Sequence, residues 1–315
     1  MSFASDCKKE LCLIEPEKAC CYISEISGLY MSTASLSLLG RGKVNVTFTN
    51  ESMAVCRRIY TLLTRHMHLS PQIHYVTTAR FGGKRKCVLT LGTQQSPQFL
   101  KSLHMMVEED DGDTLVSTSP KININRFCCM KAFLRGVMLG GGTMSSPEQG
   151  YHLELPVKDG ELRAMLARCF QRLDLPIKMS TRKENAYLYL KQSDQIVTFL
   201  TAVGAHQAVM QIEDLRVRRQ VIESVNRAIN CDNANLEKQM NASDEQISAI
   251  LSLQQSNVFS SLPLSLQEVA NARLNAPAAN LTELGQLLNP PIGKSGVNHR
   301  MRRLMTYAAT PKTDE

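Results

Sequence analysis

The sequence predicts an α+β protein: two α/β repeats of one element order forming a pseudosymmetric domain, then an all-α C-terminal segment. Three observations predict it. Helix, strands, helix, two strands and helix can be read twice in succession before residue 205. The second helix of each half runs into leucine and proline, HMHLSP in one and QRLDLP in the other. Near the C-terminus, Asn280-Leu281-Thr282-Glu283 opens a short helix as a capping box, and Asn289-Pro290-Pro291 stops it ahead of a basic helix.

The elements follow in order. EKACCYISEISGLY (17–30) is expected as a helix ending in Ser27-Gly28. Two β-type runs, 34–39 and 43–49, lie either side of Gly40-Arg41-Gly42. Glu51 to His66 has helical periodicity, with Asn50 placed to cap its free N–H groups. Strand-like runs at 71–80 and 86–91 flank Phe81-Gly82-Gly83-Lys84, a hairpin turn, and Ser96 opens a short helix through Leu103. An acidic loop, Glu108 to Asp113, leads into the second repeat. There a helix at 125–140 ends in Gly140-Gly141-Gly142, followed by a strand at 151–155 and a helix at 159–173. Strands at 177–181 and 186–190 flank Lys183-Glu184-Asn185, and Ser193 to Val203 closes the repeat as a helix. The boundaries are 1–115 and 116–205 for the repeats, 206–260 for a helical linker and 261–310 for the C-terminal domain.

Composition narrows the function class. The chain has 315 residues, 43% hydrophobic and 21% charged, and no apolar run reaches the roughly 18 residues of a spanning helix. The opening MSFASDCKKELCLIEPEK lacks the pattern of a signal peptide, so a cytoplasmic protein without membrane partners is expected. Ten cysteines then read as free thiols. Cys20–Cys21 and Cys128–Cys129 are adjacent pairs without CxxC spacing, and His66, His68 and His74 have no ligand companions at suitable spacing. Neither a metal site nor a cofactor is expected. A net charge of +7 permits a polyanionic partner without requiring one.

The linker places Ile212, Leu215, Val221, Ile222, Val225 and Ile229 on one face, expected to dock. After Ser260–Pro263, three helices are read: Leu264–Leu274, the capped helix from Asn280 through LGQLL, and a third beginning Lys294-Ser295-Gly296-Val297-Asn298. A short helix, a tight turn and a helix opening with small polar residues is a helix-turn-helix layout, which suits double-stranded DNA. Val297, Met301 and Leu304 form its packed face. Lys294, Ser295, Asn298, His299, Arg300, Arg302 and Arg303 are the candidate contacts. Asn298 suits an adenine edge, Arg300 guanine or phosphate, and the remaining cations phosphate.

Taken together these segments resemble the WhiA family of bacterial regulators. NLTELGQLLNPPIGKSGVNHRMRRL is similar to the family's helix-turn-helix, and VNRAINCDNANLEK and FLRGVMLGGGTMSSPEQGYHLEL to two further signatures; the resemblance runs from about residue 15 to 308. It implies two LAGLIDADG homing-endonuclease-like repeats and a role in transcription linked to sporulation, cell division and chromosome segregation. It also implies a nucleoid-associated protein whose protein partners are another transcription regulator or RNA polymerase. Active LAGLIDADG enzymes end each motif helix in a metal-binding carboxylate. Here the aligned positions are Ser27 and Gly141, which cannot hold a hard cation, so no catalytic residue and no nuclease activity is expected. Arg80, Lys84, Arg85 and Lys86, with Lys178, Arg182 and Lys183, occupy the hairpins that follow the DNA backbone in related endonucleases, and form a candidate secondary contact. An adaptor whose repeat domain binds a protein partner is the alternative.

Overall fold

A computed structural model describes residues 2–16, 18–40, 43–77, 85–109, 112–115, 117–182, 185–256 and 258–309. Contacts divide the chain into two units, Met1–Arg218 and Arg219–Glu315. Among the described residues no helix is long and apolar enough to cross a membrane.

The first unit contains both repeats. After α1 (Phe3–Cys12), repeat 1 runs α2 (Ala19–Thr33), β1 (Ala34–Gly40), β2 (Lys43–Asn50), α3 (Met53–Thr61, continued by a π turn to His66), β3 (Gln72–Thr77), β4 (Arg85–Leu91) and α4 (Ser96–Ser102). A hairpin, β5 (Met106–Glu109) and β6 (Gly112–Leu115), leads to repeat 2. That repeat runs α5 (Phe127–Gly141), β7 (Thr143–Met144), β8 (Leu153–Val157), α6 (Gly160–Arg172), β9 (Lys178–Arg182), β10 (Asn185–Leu190) and α7 (Ser193–Val203). The two antiparallel sheets have orders β1-β2-β4-β3 and β7-β8-β10-β9, the same topology twice. The expected element order is thus present, and the short β7 supplies the strand for which the sequence of repeat 2 gave no signal.

Alternation fixes which sheet face is buried. Val44, Val46 and Phe48 of β2 join Cys87, Leu89 and Leu91 of β4 in the core. Phe48 meets Phe99 of α4 edge-on, with ring centroids 5.8 Å apart. Repeat 2 does the same with Leu153, Leu155, Leu188 and Leu190, and Phe170 packs on Phe199 at 5.8 Å.

The leucine-proline likeness also has a structural cause. His68 (φ 55°) and Asp174 (φ 54°) both adopt the left-handed conformation after their helices. The following leucines turn inward, their N–H groups donating to Leu63 O and Phe170 O, both at 2.9 Å. This is a helix C-terminal stop that seals free carbonyls and delivers a buried leucine to the core.

The helices α2 and α5 approach each other at backbone distance. A Cβ on Gly28 would lie 2.3 Å from Phe133 O, and one on Gly136 only 2.1 Å from Glu25 O. No other residue type fits at either position, because both obstacles are backbone.

Several expectations are corrected. Asn50 does not cap α3: Ser52 does, its Oγ accepting from Val55 N–H at 3.5 Å. Asn50 instead spans the repeats, its Nδ2 donating to Gly140 O at 2.9 Å while its Oδ1 accepts from Ser52 N–H at 2.8 Å. The acidic stretch from Glu108 to Asp113 contributes to the β5–β6 hairpin rather than a plain loop. The opening residues, read only for the absence of a signal, form α1, which buries Cys7 and Leu11. Glu10 of α1 accepts from Gln207 and Ala208 N–H at 2.7 and 3.1 Å, capping the start of α8 (His206–Gln255).

Gly136→Ala is expected to lower stability by about 2 kcal/mol or more, even after the roughly 1 kcal/mol that alanine gains in helix propensity. A urea midpoint that is unchanged or raised would show that α2 and α5 can separate without cost.

Candidate nucleic-acid interface

In the second unit α8 lies beside a turn at Phe259–Ser261 and helices α9 (Leu264–Asn275), α10 (Leu281–Gln286) and α11 (Lys294–Ala309). Their core joins Ile250 and Leu253 of α8 to Leu266, Val269, Leu284, Val297, Met301 and Leu304. The expected packed face of the last helix, Val297, Met301 and Leu304, is buried. The capping box is also present. Asn280 Oδ1 accepts from Thr282 and Glu283 N–H at 2.9 and 3.0 Å, and Glu283 Oε2 accepts from Asn280 N–H at 2.8 Å.

The turn between α10 and α11 is longer than the tight turn expected, running from Leu287 to Gly293. It folds back on α10: Ile292 N–H donates to Gly285 O at 3.0 Å, and a Cβ on Gly285 would sit 2.1 Å from Ile292 O. Glycine is required there because the loop lies directly on the helix.

One buried cation organises the approach to α10. Arg273 is 2% exposed, and among the described residues no carboxylate pairs with it. Its Nε donates to Gln246 Oε1 at 2.9 Å, and an Nη to Ala279 O at 2.6 Å. Burial pulls its pKa below the usual guanidinium value. Ser243 Oγ adds a 2.6 Å bond to Pro277 O, so α8 holds the α9–α10 connection through side chains and backbone.

With one face of α11 in the core, helical geometry sends its residues in known directions. Lys294, Ser295, His299, Arg302 and Arg303 are exposed, Asn298 is half-buried, and the helix has no acidic residue. Ser295, His299 and Arg302 recur at helical spacing opposite Val297, Met301 and Leu304. Arg300 stands apart from this group. It is half-buried and an Nη donates to Ser265 O at 3.4 Å, turning it towards α9.

The linker helix behaves differently from its periodicity. Ile212 is buried and Leu215 half-buried, but Val221, Ile222, Val225 and Ile229 are each at least half exposed. The expected docked face ends where the first unit ends; periodicity assigns residues to a face but cannot supply the element that covers it.

In the first unit the basic hairpins are only partly described. Arg80, Lys84 and Lys183 lie outside the described residues. Of the others, Lys86 pairs with Glu51 at 3.4 Å and Arg182 with Glu154 at 2.8 Å. Arg85 lies over the Tyr75 ring at 4.8 Å, and Lys178 is exposed on β9.

The equivalence of Ser27 with Gly141 is corrected by the helix crossing. Gly28 and Gly136 face each other's backbone, so they are the matched pair, and Thr33 then matches Gly141 as the last residue of its helix. Ser27 lies inside α2, buried, with its Oγ donating to Ile23 O at 2.7 Å. The correction leaves the chemistry unchanged, since neither Thr33 nor Gly141 carries a carboxylate. Glu25, the nearest acid on α2, is fully buried. It accepts from Arg58 Nε at 2.7 Å and Arg135 Nε at 2.9 Å, and both arginines also bond backbone carbonyls, Ile14 O and Val203 O.

Two LAGLIDADG-type repeats without carboxylates at the motif ends, joined to a helix-turn-helix unit, define a protein built from nuclease-like and DNA-reader-like parts. The comparisons identify the family. Models for the WhiA N-terminal LAGLIDADG-like domain, the WhiA LAGLIDADG-like domain and the WhiA C-terminal HTH domain match residues 19–106, 130–222 and 225–308. The chain is 38% identical over 305 residues to the "Probable cell division protein WhiA" of Alkaliphilus metalliredigens, covering 96% of each chain. It is 37% identical to the protein of that name from Heliobacterium modesticaldum, covering 98% of this chain and 96% of that one. Full-length DUF199/WhiA from Thermotoga maritima, a crystal structure, superposes with a TM-score of 0.61 at 25% identity, covering 98% of both chains. The chain belongs to the WhiA family.

Glu25→Gln is expected to cost about 3–5 kcal/mol, because it removes the buried counter-charge shared by two guanidinium groups and leaves Arg58 with only the exposed Glu15, 3.5 Å away. Chemical denaturation would measure it, and a loss below about 1 kcal/mol would mean that the triad is solvated in solution.

Proposed function

We propose that this protein is a DNA-binding transcription regulator acting in cell division and chromosome segregation, with no nuclease activity. The observation that carries this reading is α11. One face is locked in the core, while the other presents Ser295, His299, Arg302 and Arg303 on a helix whose own sequence has no acidic residue. Lys294 and Ser295 open the helix, where N–H groups and the helix dipole favour phosphate. Asn298, half-buried, stands beside this face, and its amide suits an adenine edge. Arg300 is assigned to holding α11 on α9 rather than to base contact. The names of the WhiA relatives support the cell-division assignment. Lack of a carboxylate at Thr33 or Gly141 supports the absence of cleavage, since a hard divalent ion needs charged oxygen ligands.

A single helix-turn-helix reads a short half-site, so high specificity calls for a second copy, another transcription regulator or RNA polymerase alongside it. The hairpin cations are assigned at most a secondary grip, because Lys86 and Arg182 already have carboxylate partners. A protein-binding adaptor is the second reading. It is favoured by an apolar groove beside the edge strand β3, lined by Met53, Tyr60, Ile73 and Tyr75.

In the full-length chain, Arg302→Ala and Arg303→Ala are each expected to weaken duplex binding several-fold, similarly across sequences. Each should flatten the slope of log K against log salt by about 0.9. Fluorescence anisotropy across a salt series would read both effects. Wild-type binding and slope in the double variant would place the contact on another face, and retained binding with a lost cell-division phenotype in groove variants would favour the adaptor.

A further inference from the structure

Ten cysteines are distributed along this chain, and four of them converge. Cys20 and Cys21 lie in the first turn of α2, and Cys128 and Cys129 in the first turn of α5. Within each pair the sulfurs belong to neighbouring residues, so no linear spacing announces a ligand set. The Gly28–Gly136 crossing brings the two helix starts together. All four Sγ atoms then lie within 4.8 Å of one another, and Cys128 Sγ is 4.0 Å from Cys129 Sγ. Among the described residues, no other group of three or more cysteine, histidine or carboxylate side chains converges in this way.

We propose that Cys20, Cys21, Cys128 and Cys129 form a tetrathiolate site for one zinc ion, which clamps the starts of α2 and α5 together. The dimensions select a single ion. Four thiolates about 2.3 Å from a tetrahedral centre stand roughly 3.8 Å apart. Sulfurs already within 4.8 Å need only side-chain adjustment to reach that arrangement, whereas a multi-iron cluster requires them to spread. An all-sulfur donor set favours a soft or borderline ion over magnesium or calcium.

The surroundings suit the charge. Zn²⁺ replaces the thiol protons, so four protons leave and the finished centre carries two negative charges. The cluster lies at the first turns of two helices, where the helix dipoles favour negative charge. Lys131 and Arg135 line the same cleft as Cys21 and Cys128. An entry path exists because Cys20 and Cys128 are half-exposed and the cleft is open, while Cys21 and Cys129 form the buried floor. The site lies at the opposite ends of α2 and α5 from Thr33 and Gly141, about 20 Å along each helix. A zinc ion here would therefore be structural and remote from the ancestral catalytic positions.

The test uses the full-length chain purified under reducing conditions, with zinc measured per chain and the metal then exchanged for Co²⁺. The expected result is close to one zinc per chain. The cobalt form should show sulfur-to-cobalt charge-transfer absorption and the strong visible bands of a tetrahedral site. Cys20→Ser and Cys128→Ser, at the half-exposed positions, should each weaken metal binding more than about 100-fold, beyond the loss usual for a mere supporting residue. Cys231→Ser, an exposed control, should bind as wild type. Circular dichroism would confirm that each variant is folded. Wild-type protein with free thiols but neither stoichiometric zinc nor cobalt–thiolate bands would overturn the proposal. So would a site that survives Cys20→Ser and Cys128→Ser, or one lost in Cys231→Ser.

Discussion

The first unit depends on the backbone contact of α2 with α5. Helices normally pack with axes 8–10 Å apart, held off by side chains. Here Gly28 and Gly136 remove the side chain from both surfaces, and each presents its Cα to the other helix's carbonyl or amide. That approach makes the two repeats one body, with a continuous core running from Val46 and Phe48 in one sheet to Leu155 and Leu188 in the other. It also fixes the register of everything else on those helices. Cys20 meets Cys129 at one end, Glu25 meets Arg135 in the middle, and Ser32 and Thr33 meet Gly140 at the other.

Register explains the fate of the carboxylates. An acid on α2 survives as Glu25, but one turn or more from the helix end, inside the protein, where Arg58 and Arg135 neutralise it. Such a triad is expensive to desolvate and adds little net stability over an apolar packing. Its effect here is specificity: it ties α2, α3 and α5, and through Ile14 O and Val203 O it also fixes the segment that precedes α2 and the last residue of α7. The end positions carry no carboxylate and are closely packed. Gly141 leaves no room for a Cβ beside Pro156, which would lie 2.5 Å away.

The second unit solves a different problem, presenting one helix while holding the other two still. The recognition-type helix α11 owes its placement to buried Val297, Met301 and Leu304, but also to three local devices. Gly285 admits the Leu287–Gly293 loop, Arg273 collects the carbonyls before α10, and Arg300 reaches back to Ser265. The last part of α8 belongs to this unit, since Ile250 and Leu253 complete its core. A boundary drawn from composition at the Ser260–Pro263 hinge separates residues that pack together.

The sequence alone determined what depends on neighbours along the chain. Periodicity and turn chemistry located most helices and strands of both repeats, the Asn280–Glu283 capping box and the buried stripe of α11, because these rest on short-range geometry. The WhiA-like segments were legible for the same reason, as runs of residues in order. Tertiary structure alone decided which distant residues meet. Asn50 looked like a cap until Gly140 offered it a longer-range partner, and Arg300 has a partner in Ser265 O of α9 that its place in the sequence does not show. Ser27 gave way to Thr33 once the glycine pair set the register. Four thiols without any ligand spacing became one cluster because two helices cross. A sequence orders residues along one dimension, and a site built from both sides of a pseudo-twofold contact exists only after that contact has formed.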